Sequence, residues 1–488
     1  MGSERGDREW PGPAALAILM ILVAVSAAPA QTFTSYDFEG GAGEEPYAAV
    51  VQGTDGELYG TTWGYGLDSG TIFKMAPNGN FTSLYNFCYF GCPNGANPYG
   101  ALVQAPNGNF YGTTWAGGAS NGGSVFEITA GGILTSLHSF CAKSDCADGE
   151  TPYSTLVLGT DGSLYGTTSG GGNHSSLCGG LYGCGTVFKI TQSGALTTLY
   201  AFCGQANCTD GDVPIAGLVQ GNDGNFYGTT SYGGAYSNSS CGFGCGTVFR
   251  ITPRGTLTTL HSFDGSDGYS PYAGLIRAAD GSFYGTTASG TVFQITAGGV
   301  LTTLHRFDGA DGAEPLGTLI QATDGKLYGT TATGGTGEAC GGNGCGTVFQ
   351  LAPTGTLTTL HSFDYTDGSF PAAGLIQYTD GSFYGTTTFG GNLGCRGGCG
   401  TVFRMSVGLG PFVETQPDFG KVGRAVKILG NNLTGSTTLT FNGTSAVFKV
   451  ISPTEIGAVV PAGSTSGAVQ VVTPSGTLSS NVPFRVLP

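Results

Sequence analysis

Charge is what this chain has least of. Charged residues make up 10% of it, and those lean acidic, with 17 Lys and Arg against 32 Asp and Glu. A formal net charge of −15 repels phosphate backbones, which argues against nucleic acid as a partner. Histidine is scarcer still, at 5 of 488 residues, and there is no P-loop or His-Glu-x-x-His. Long apolar runs are missing as well. The one candidate, Ala14 to Val25, is too short and too N-terminal for a convincing membrane span. Arg5 and Arg8 precede it and Ala28-Pro29-Ala30 follows it, so residues 1–30 read as a secretory signal, with an uncleaved anchor as the alternative. Aromatics are not sparse, at 11%, which excludes a disordered chain. The 90 glycines have no G-X-Y period, which excludes collagen. A turn-rich β protein remains.

What is present is repetition. Tyr-Gly-Thr-Thr begins at Tyr59, Tyr111, Tyr165, Tyr227, Tyr284, Tyr328 and Tyr384. Each copy lies in a longer unit, clearest at Pro214-Ile-Ala-Gly-Leu-Val-Gln, Asn225-Phe-Tyr-Gly-Thr-Thr, Gly246-Thr-Val-Phe-Arg-Ile and Leu257-Thr-Thr-Leu-His-Ser-Phe. Four alternating segments per unit predict four short strands, A to D, and repeats of this length predict a propeller. An Asp-Gly or Asn-Gly turn joins A to B in every unit, at Asp55, Asn107, Asp161, Asp223, Asp280, Asp324 and Asp380. Strands A, B and C occur seven times, but D follows C only six times. Phe33-Thr-Ser-Tyr-Asp-Phe at the start resembles a strand D with no blade of its own. The expectation is therefore an all-β, seven-bladed propeller over 31–407, with strand 33–38 completing the last blade. An open stack of sheets would leave two bare edges.

These repeated phrases resemble the tandem Gloeo/Verruco repeats of secreted bacterial proteins, a likeness that implies secretion and repeat architecture and no agreed activity. Pro-x-x-Gly-Leu, Asp-Gly-x-Phe-Tyr and Thr-Val-Phe are also similar, more loosely, to NHL-type propeller blades. From Gly410 the wording changes. Pro411-Phe-Val, Gly420-Lys-Val-Gly, Val426-Lys-Ile-Leu-Gly-Asn-Asn-Leu and Val459-Val-Pro-Ala-Gly resemble an IPT/TIG domain, which implies an immunoglobulin-like sandwich over 410–488.

Up-and-down strands put the B–C and D–A loops on one face and the short, uniform A–B and C–D turns on the other. Variation in length and composition falls on the first face, where loops on a rigid scaffold carry function. All fourteen cysteines are there, two per loop: Cys88/Cys92, Cys141/Cys146 and Cys203/Cys208 in D–A loops, and Cys178/Cys184, Cys241/Cys245, Cys340/Cys345 and Cys395/Cys399 in B–C loops. Pairing within each loop is the simplest connectivity in a secreted chain, with zinc sites as the rival. The expected role of such bridges is to stiffen long, glycine-rich loops. Acids gather on the same face, Glu39 among them. Three D–A loops share Asp-x-x-Asp-Gly, at Asp264/Asp267, Asp308/Asp311 and Asp364/Asp367. These can act as Asx-turns or offer oxygens to calcium; no cofactor is required, and calcium is possible. Trp63 and Trp115 follow Tyr-Gly-Thr-Thr in the first two blades. Tyr65, Tyr89, Phe90, Tyr182, Tyr232, Tyr236 and Phe243 lie in the same class of loops. Trp63, Trp115, Tyr65, Tyr232 and Tyr236 are the candidate ligand-binding aromatics, suited to stacking on sugar rings; the alternative is that they pack their own loops.

No catalytic set emerges. His138, His261, His305 and His361 recur at one position of outer strand D, where other units have Tyr85 and Tyr200, and a residue repeated at the rim is structural. The reading is a secreted or cell-surface binding or scaffold protein. Its expected partner is an extracellular glycan or a surface protein, with no nucleic acid and no membrane span in the mature chain. A carbohydrate-active hydrolase or lyase on the same scaffold, and a purely structural surface component, remain the alternatives.

Overall fold

The computed structural model describes residues 31–38, 43–64, 69–88, 91–179, 183–392, 394–395 and 397–488. The expected leader at 1–30 lies outside them, as do Glu39, Tyr65, Tyr89, Phe90 and Tyr182. The seven units fold as seven four-stranded antiparallel sheets, each in the order A-B-C-D. In the first blade these are Val51–Gln52, Leu58–Thr62, Thr71–Met75 and Phe81–Asn86. The last blade takes its outer strand from the N-terminus: Thr32–Asp37 pairs antiparallel with Thr401–Ser406, in register from Thr32↔Ser406 to Asp37↔Thr401. The ring is fastened as the strand count requires.

Each residue of Tyr-Gly-Thr-Thr has its own physical task. Strand B is buried along its whole length in all seven blades. Its glycine is obligatory because a strand C phenylalanine lies across it: a Cβ on Gly60 would meet Phe73 at 2.5 Å, and one on Gly385 would meet Phe403 at 2.4 Å. The first threonine donates its hydroxyl to a backbone carbonyl of the next blade, as in Thr113 to Ser154 at 3.0 Å. The bond from Thr386 to Ala48, also 3.0 Å, carries this stitch from the last blade to the first. The second threonine pairs with the residue opening strand C, for example Thr168 with Thr186 at 2.8 Å. In four blades the tyrosine ring stacks on a phenylalanine of the following blade, as Tyr59 does on Phe110 with centroids 4.1 Å apart. In five blades its hydroxyl donates to the A–B turn aspartate, as Tyr59 does to Asp55 at 2.6 Å. The recurring phrase is thus a connector between blades.

A second connector circles the channel at the A–B end. The glutamine ending strand A accepts, through Oε1, the N–H of a turn residue in the preceding blade. Thr54 donates to Gln104, Thr160 to Gln220, Ala279 to Gln321, Thr323 to Gln377 and Thr379 to Gln52, at 2.8–3.1 Å. Both breaks in this belt are matched. Leu158 replaces glutamine where the preceding blade offers Pro106, which has no N–H to give. Arg277 replaces it in the fifth blade and instead donates to Asn222 Oδ1 at 2.9 Å.

The C-terminal segment is a sandwich. One sheet holds Glu414–Gln416, Ala425–Leu429, Glu455–Val459 and Phe448–Val450. The other holds Thr444–Ser445, Thr438–Phe441, Val469–Thr473 and Gly476–Ser479. Ile428, Phe441, Ile456, Val471 and Phe484 meet between them in a separate core. Among the described residues no helix is long and apolar enough to cross a membrane.

Candidate functional site

Every D–A loop ends in the same strained step. The residue before the loop's final proline has a left-handed backbone in all seven blades, with φ between 51° and 58° at Glu45, Asn97, Thr151, Val213, Ser270, Glu314 and Phe370. None is glycine, and β-branched Thr151 and Val213 are outliers at such an angle. Strain of this kind costs about 1–3 kcal/mol per residue, and hydrogen bonds hold it in place. The carbonyl accepts the N–H of the residue after Tyr-Gly-Thr-Thr, as Glu45 does from Trp63 at 2.9 Å. In six of the seven blades the N–H donates to the preceding blade, as Val213 does to Cys184 at 3.0 Å. Just beyond the proline, Tyr47, Tyr99, Tyr153, Ile215, Tyr272, Leu316 and Ala372 therefore line one mouth of the channel.

That mouth opens into a cavity of about 940 Å³. All seven blades contribute to it from strand A or just before, through Val50, Leu102, Leu156, Leu218, Leu275, Leu319 and Leu375. Its lining is aromatic, aliphatic and hydroxylic. Among the described residues it includes no Asp, Glu, Lys, Arg or His. The aromatics concentrate on the first three blades. Tyr47 stacks on Tyr99 at 5.0 Å, Tyr99 meets Tyr153 edge-on at 5.0 Å, and Trp63 lies 5.3 Å from Trp115 and edge-on to Tyr99 at 5.6 Å. Burial, then the charge of Glu45, pushes the Tyr47 hydroxyl up to about 12; burial and the flanking tyrosines push Tyr99 up too. Both stay protonated donors at ordinary pH. Across the cavity, Ser231 is buried and its hydroxyl has no partner. In the preceding blade the equivalent Ser169 bonds Thr151 at 2.8 Å, but Val213 stands where that threonine was.

The sequence-derived aromatics divide. Trp115 and Tyr232 line the cavity, and Trp63 packs beside Trp115 without lining it. Tyr236 is 54% exposed on its loop and apart from the cavity, and Tyr65 lies outside the described residues. Sequence reasoning missed Tyr47, Tyr99, Tyr153 and Tyr272, although a Pro-Tyr step marks each of them.

The acidic turns close on themselves. Asp267, Asp311 and Asp367 each hold the strand D histidine of their own blade, at 2.6, 2.7 and 2.7 Å. The same aspartates accept the N–H of Asp264, Asp308 and Asp364. Those three have carboxyls held below the usual range: Asp264 first by the Ser266 hydroxyl, Asp308 by the Asp311 N–H, and Asp364 by the Thr366 hydroxyl. All six carboxylates are thus engaged locally, and the turns do not converge on one another. The first blade with this histidine, His138, uses buried Asp148 at 3.1 Å, and Tyr200 donates to Asp210 at 2.7 Å.

All seven cysteine pairs are joined within their own loops, with Cα atoms 4.0–5.5 Å apart. Seven disulfides point to an oxidising, extracytoplasmic compartment. The bridges also reach into the protein. In six of the pairs the later cysteine is buried: Cys92, Cys184, Cys208, Cys245, Cys345 and Cys399. Cys241 is buried as well. The reason in the B–C loops is position. Cys184, Cys245, Cys345 and Cys399 each stand three residues before the strand C valine and join the same apolar cluster as that valine and a strand D phenylalanine. The partners are Val187 with Phe202, Val248 with Phe263, Val348 with Phe363, and Val402 with Phe38. A sulfur there packs as a small apolar group. In the D–A loops the Cys92 carbonyl accepts from Gly118 at 2.8 Å, the Cys208 carbonyl from Gly234 at 2.9 Å and the carbonyl of half-buried Cys146 from Gly172 at 3.0 Å, which ties each to the B–C loop that follows. The buried cysteines therefore also anchor their loops to the blades.

Cys178, Cys184 and Cys203 approach Asp212 closely, as Cys141 and Cys146 approach Glu150. Asp212 is fully buried; Gly179 donates to one carboxyl oxygen and the other has no partner. Burial pushes that carboxyl up to about 6.

The Gloeobacter/Verrucomicrobia repeat model matches three overlapping stretches, 21–241, 147–290 and 237–447, and the IPT/TIG domain model matches 413–486. No curated protein sequence matches the chain. Among solved structures, a copper-bound fungal alcohol oxidase of the AA5 family is 12% identical, with a TM-score of 0.52, over 94% of this chain and 99% of its own. The extracellular domain of a hybrid two-component system from Bacteroides thetaiotaomicron is 11% identical, with a TM-score of 0.50; the match spans 94% of this chain and 58% of that one. At such identities the likeness is one of fold.

Proposed function

This chain belongs to the Gloeobacter/Verrucomicrobia repeat family and carries a C-terminal IPT/TIG domain, and from that premise we propose that it is an extracytoplasmic, non-catalytic binding or scaffold protein whose ligand is an extracellular polysaccharide. The ligand face is the one formed by the B–C and D–A loops. The observation that carries this reading is the mouth cavity, where flat aromatic rings and hydroxyls surround an uncharged hollow. Such a lining suits sugars, whose ring faces are apolar and whose edges donate and accept hydrogen bonds. The extracellular neighbour from Bacteroides is in keeping with this setting. The oxidase neighbour's copper is not carried over to this chain, because among the described residues this cavity offers tyrosines but neither imidazole nor thiolate to such a metal.

A glycan array probed with the wild type and with Trp63→Ala/Trp115→Ala tests the reading. Truncating stacked aromatics at a binding centre costs about 2 kcal/mol, or ~30-fold in Kd. Binding indifferent to the double substitution removes this site. Binding to no glycan removes the polysaccharide and leaves a surface protein as the partner.

A further inference from the structure

The far end of the channel holds a second cavity of about 810 Å³. Val51, Leu319 and Ile376 line both cavities, so the two are halves of one channel that meet at these strand A residues. The outer wall of the second half is the C-terminal sandwich, through Glu414, Gln416, Asn481, Arg485 and Pro488.

The sandwich is fastened around that rim at separate points. Phe412 N–H donates to the Thr379 carbonyl at 3.0 Å, and Asn431 Nδ2 donates to the Thr379 hydroxyl at 2.9 Å. The Thr454 hydroxyl donates to the Thr54 carbonyl at 3.2 Å, and Arg485 donates to the Gly221 carbonyl at 3.3 Å. The seventh, first and fourth blades are thereby engaged. The fifth blade supplies the remaining tie. Arg277, standing where five other blades carry the belt glutamine, meets Asp418 at 3.1 Å, and Arg485 meets the other oxygen of Asp418 at 3.4 Å. Arg277 is mostly buried, so its charge needs this partner.

We infer that the C-terminal domain is a fixed stopper on the channel, and that the mouth cavity is consequently a one-ended pocket that takes the terminus of a glycan chain and excludes its interior. The second half of this statement rests on the polysaccharide reading above; the first half does not. A channel open at both ends can thread a polymer, whereas one closed by a docked domain admits only what enters and leaves by the same mouth. A hollow of about 940 Å³ is of the size that receives one short oligosaccharide end.

Arg277→Gln installs the residue that completes the belt elsewhere, so the propeller is expected to keep its fold while the tie to Asp418 is lost; Asp418→Asn breaks the same tie from the other side. Calorimetry and small-angle X-ray scattering on the full chain read the result. The wild type is expected to melt in one transition and to scatter as a docked particle. Either variant is expected to show a separate, earlier transition and a larger maximum dimension. Two transitions already present in the wild type, or variants indistinguishable from it, overturn the stopper. The glycan half is read on the wild type, with oligosaccharides carrying a free non-reducing end, the same oligosaccharides with that end blocked, and cyclic oligosaccharides as probes. Signal from free ends alone supports terminal recognition, and equal signal from cyclic probes overturns it. If no glycan binds, terminal glycan recognition falls with the polysaccharide reading, and scattering still decides the stopper.

Discussion

At the A–B end of the channel the blades present nearly the same surface seven times over; at the other end their side chains and loops differ from blade to blade. The A–B end carries the Asp-Gly turns, the tyrosine hydroxyls bound to them and the glutamine belt. Its two breaks, at Leu158 and Arg277, are each answered by a neighbour, Pro106 in one case and Asn222 with Asp418 in the other. The opposite end fixes one backbone conformation and varies the side chain that follows it, from Tyr47 round to Ala372. Uniformity serves ring closure and the docking of a second domain, and freedom is kept where the backbone is already over-determined by hydrogen bonds. One scaffold thus separates a structural end from an end able to acquire a ligand.

The sharpest contrast is in response to pH, which should reside at the variable end. Burial raises the Asp212 carboxyl from 3.8 to about 6, so the folded chain retains a proton that the unfolded chain gives up. The stability this contributes is complete below about pH 4 and is lost as pH rises to about 6, to the extent of ~3 kcal/mol. Asp212→Asn is expected to abolish that dependence and to raise neutral-pH stability, read by denaturation at pH 4 and pH 7. A pH profile unchanged by the substitution contradicts the assignment.

The next effect probes the uniform end. Leu158→Gln places an amide opposite Pro106, where no N–H exists to donate to it, and should destabilise by about 2 kcal/mol. Adding Pro106→Thr, the residue found at 54, 160, 323 and 379, should restore most of that loss. A double variant no better than the single one means that the belt is not pairwise.

The smallest effect expected is none. With Asp264, Asp267 and their counterparts already engaged by His261, Ser266 and the turn N–H groups, melting in millimolar calcium should match melting in chelator. A rise in Tm with calcium that Asp267→Asn and Asp311→Asn diminish would restore calcium as a ligand of these loops.

Strand order, ring closure and the within-loop disulfides were legible in the sequence because each depends on local grammar: a period, a turn dipeptide, two cysteines in one short loop. The depth of the disulfides was not legible. Cys245 and Cys345 are buried because phenylalanines from strand D, Phe263 and Phe363, close over them, and that is a contact between segments. The mouth was only partly legible. Trp63 and Trp115 are conspicuous because they directly follow Tyr-Gly-Thr-Thr where other blades have Ser, Ala or Thr, whereas Tyr47, Tyr99, Tyr153 and Tyr272 precede strand A with no such contrast. Their placement depends on the left-handed residue before proline, and that conformation is set by hydrogen bonds from neighbouring segments. Burial of Asp212 was equally hidden, because it needs two disulfide loops from different parts of a blade pair to converge.

The central claim is that ligand engages the variable mouth and not the uniform end. Hydrogen–deuterium exchange of the full chain, with and without a soluble glycan selected on the array, tests it most directly. The account predicts protection at 47–50, 99–102 and 153–156 with the A–B turns and the C-terminal sandwich unchanged; protection confined to those turns or to the sandwich would contradict it.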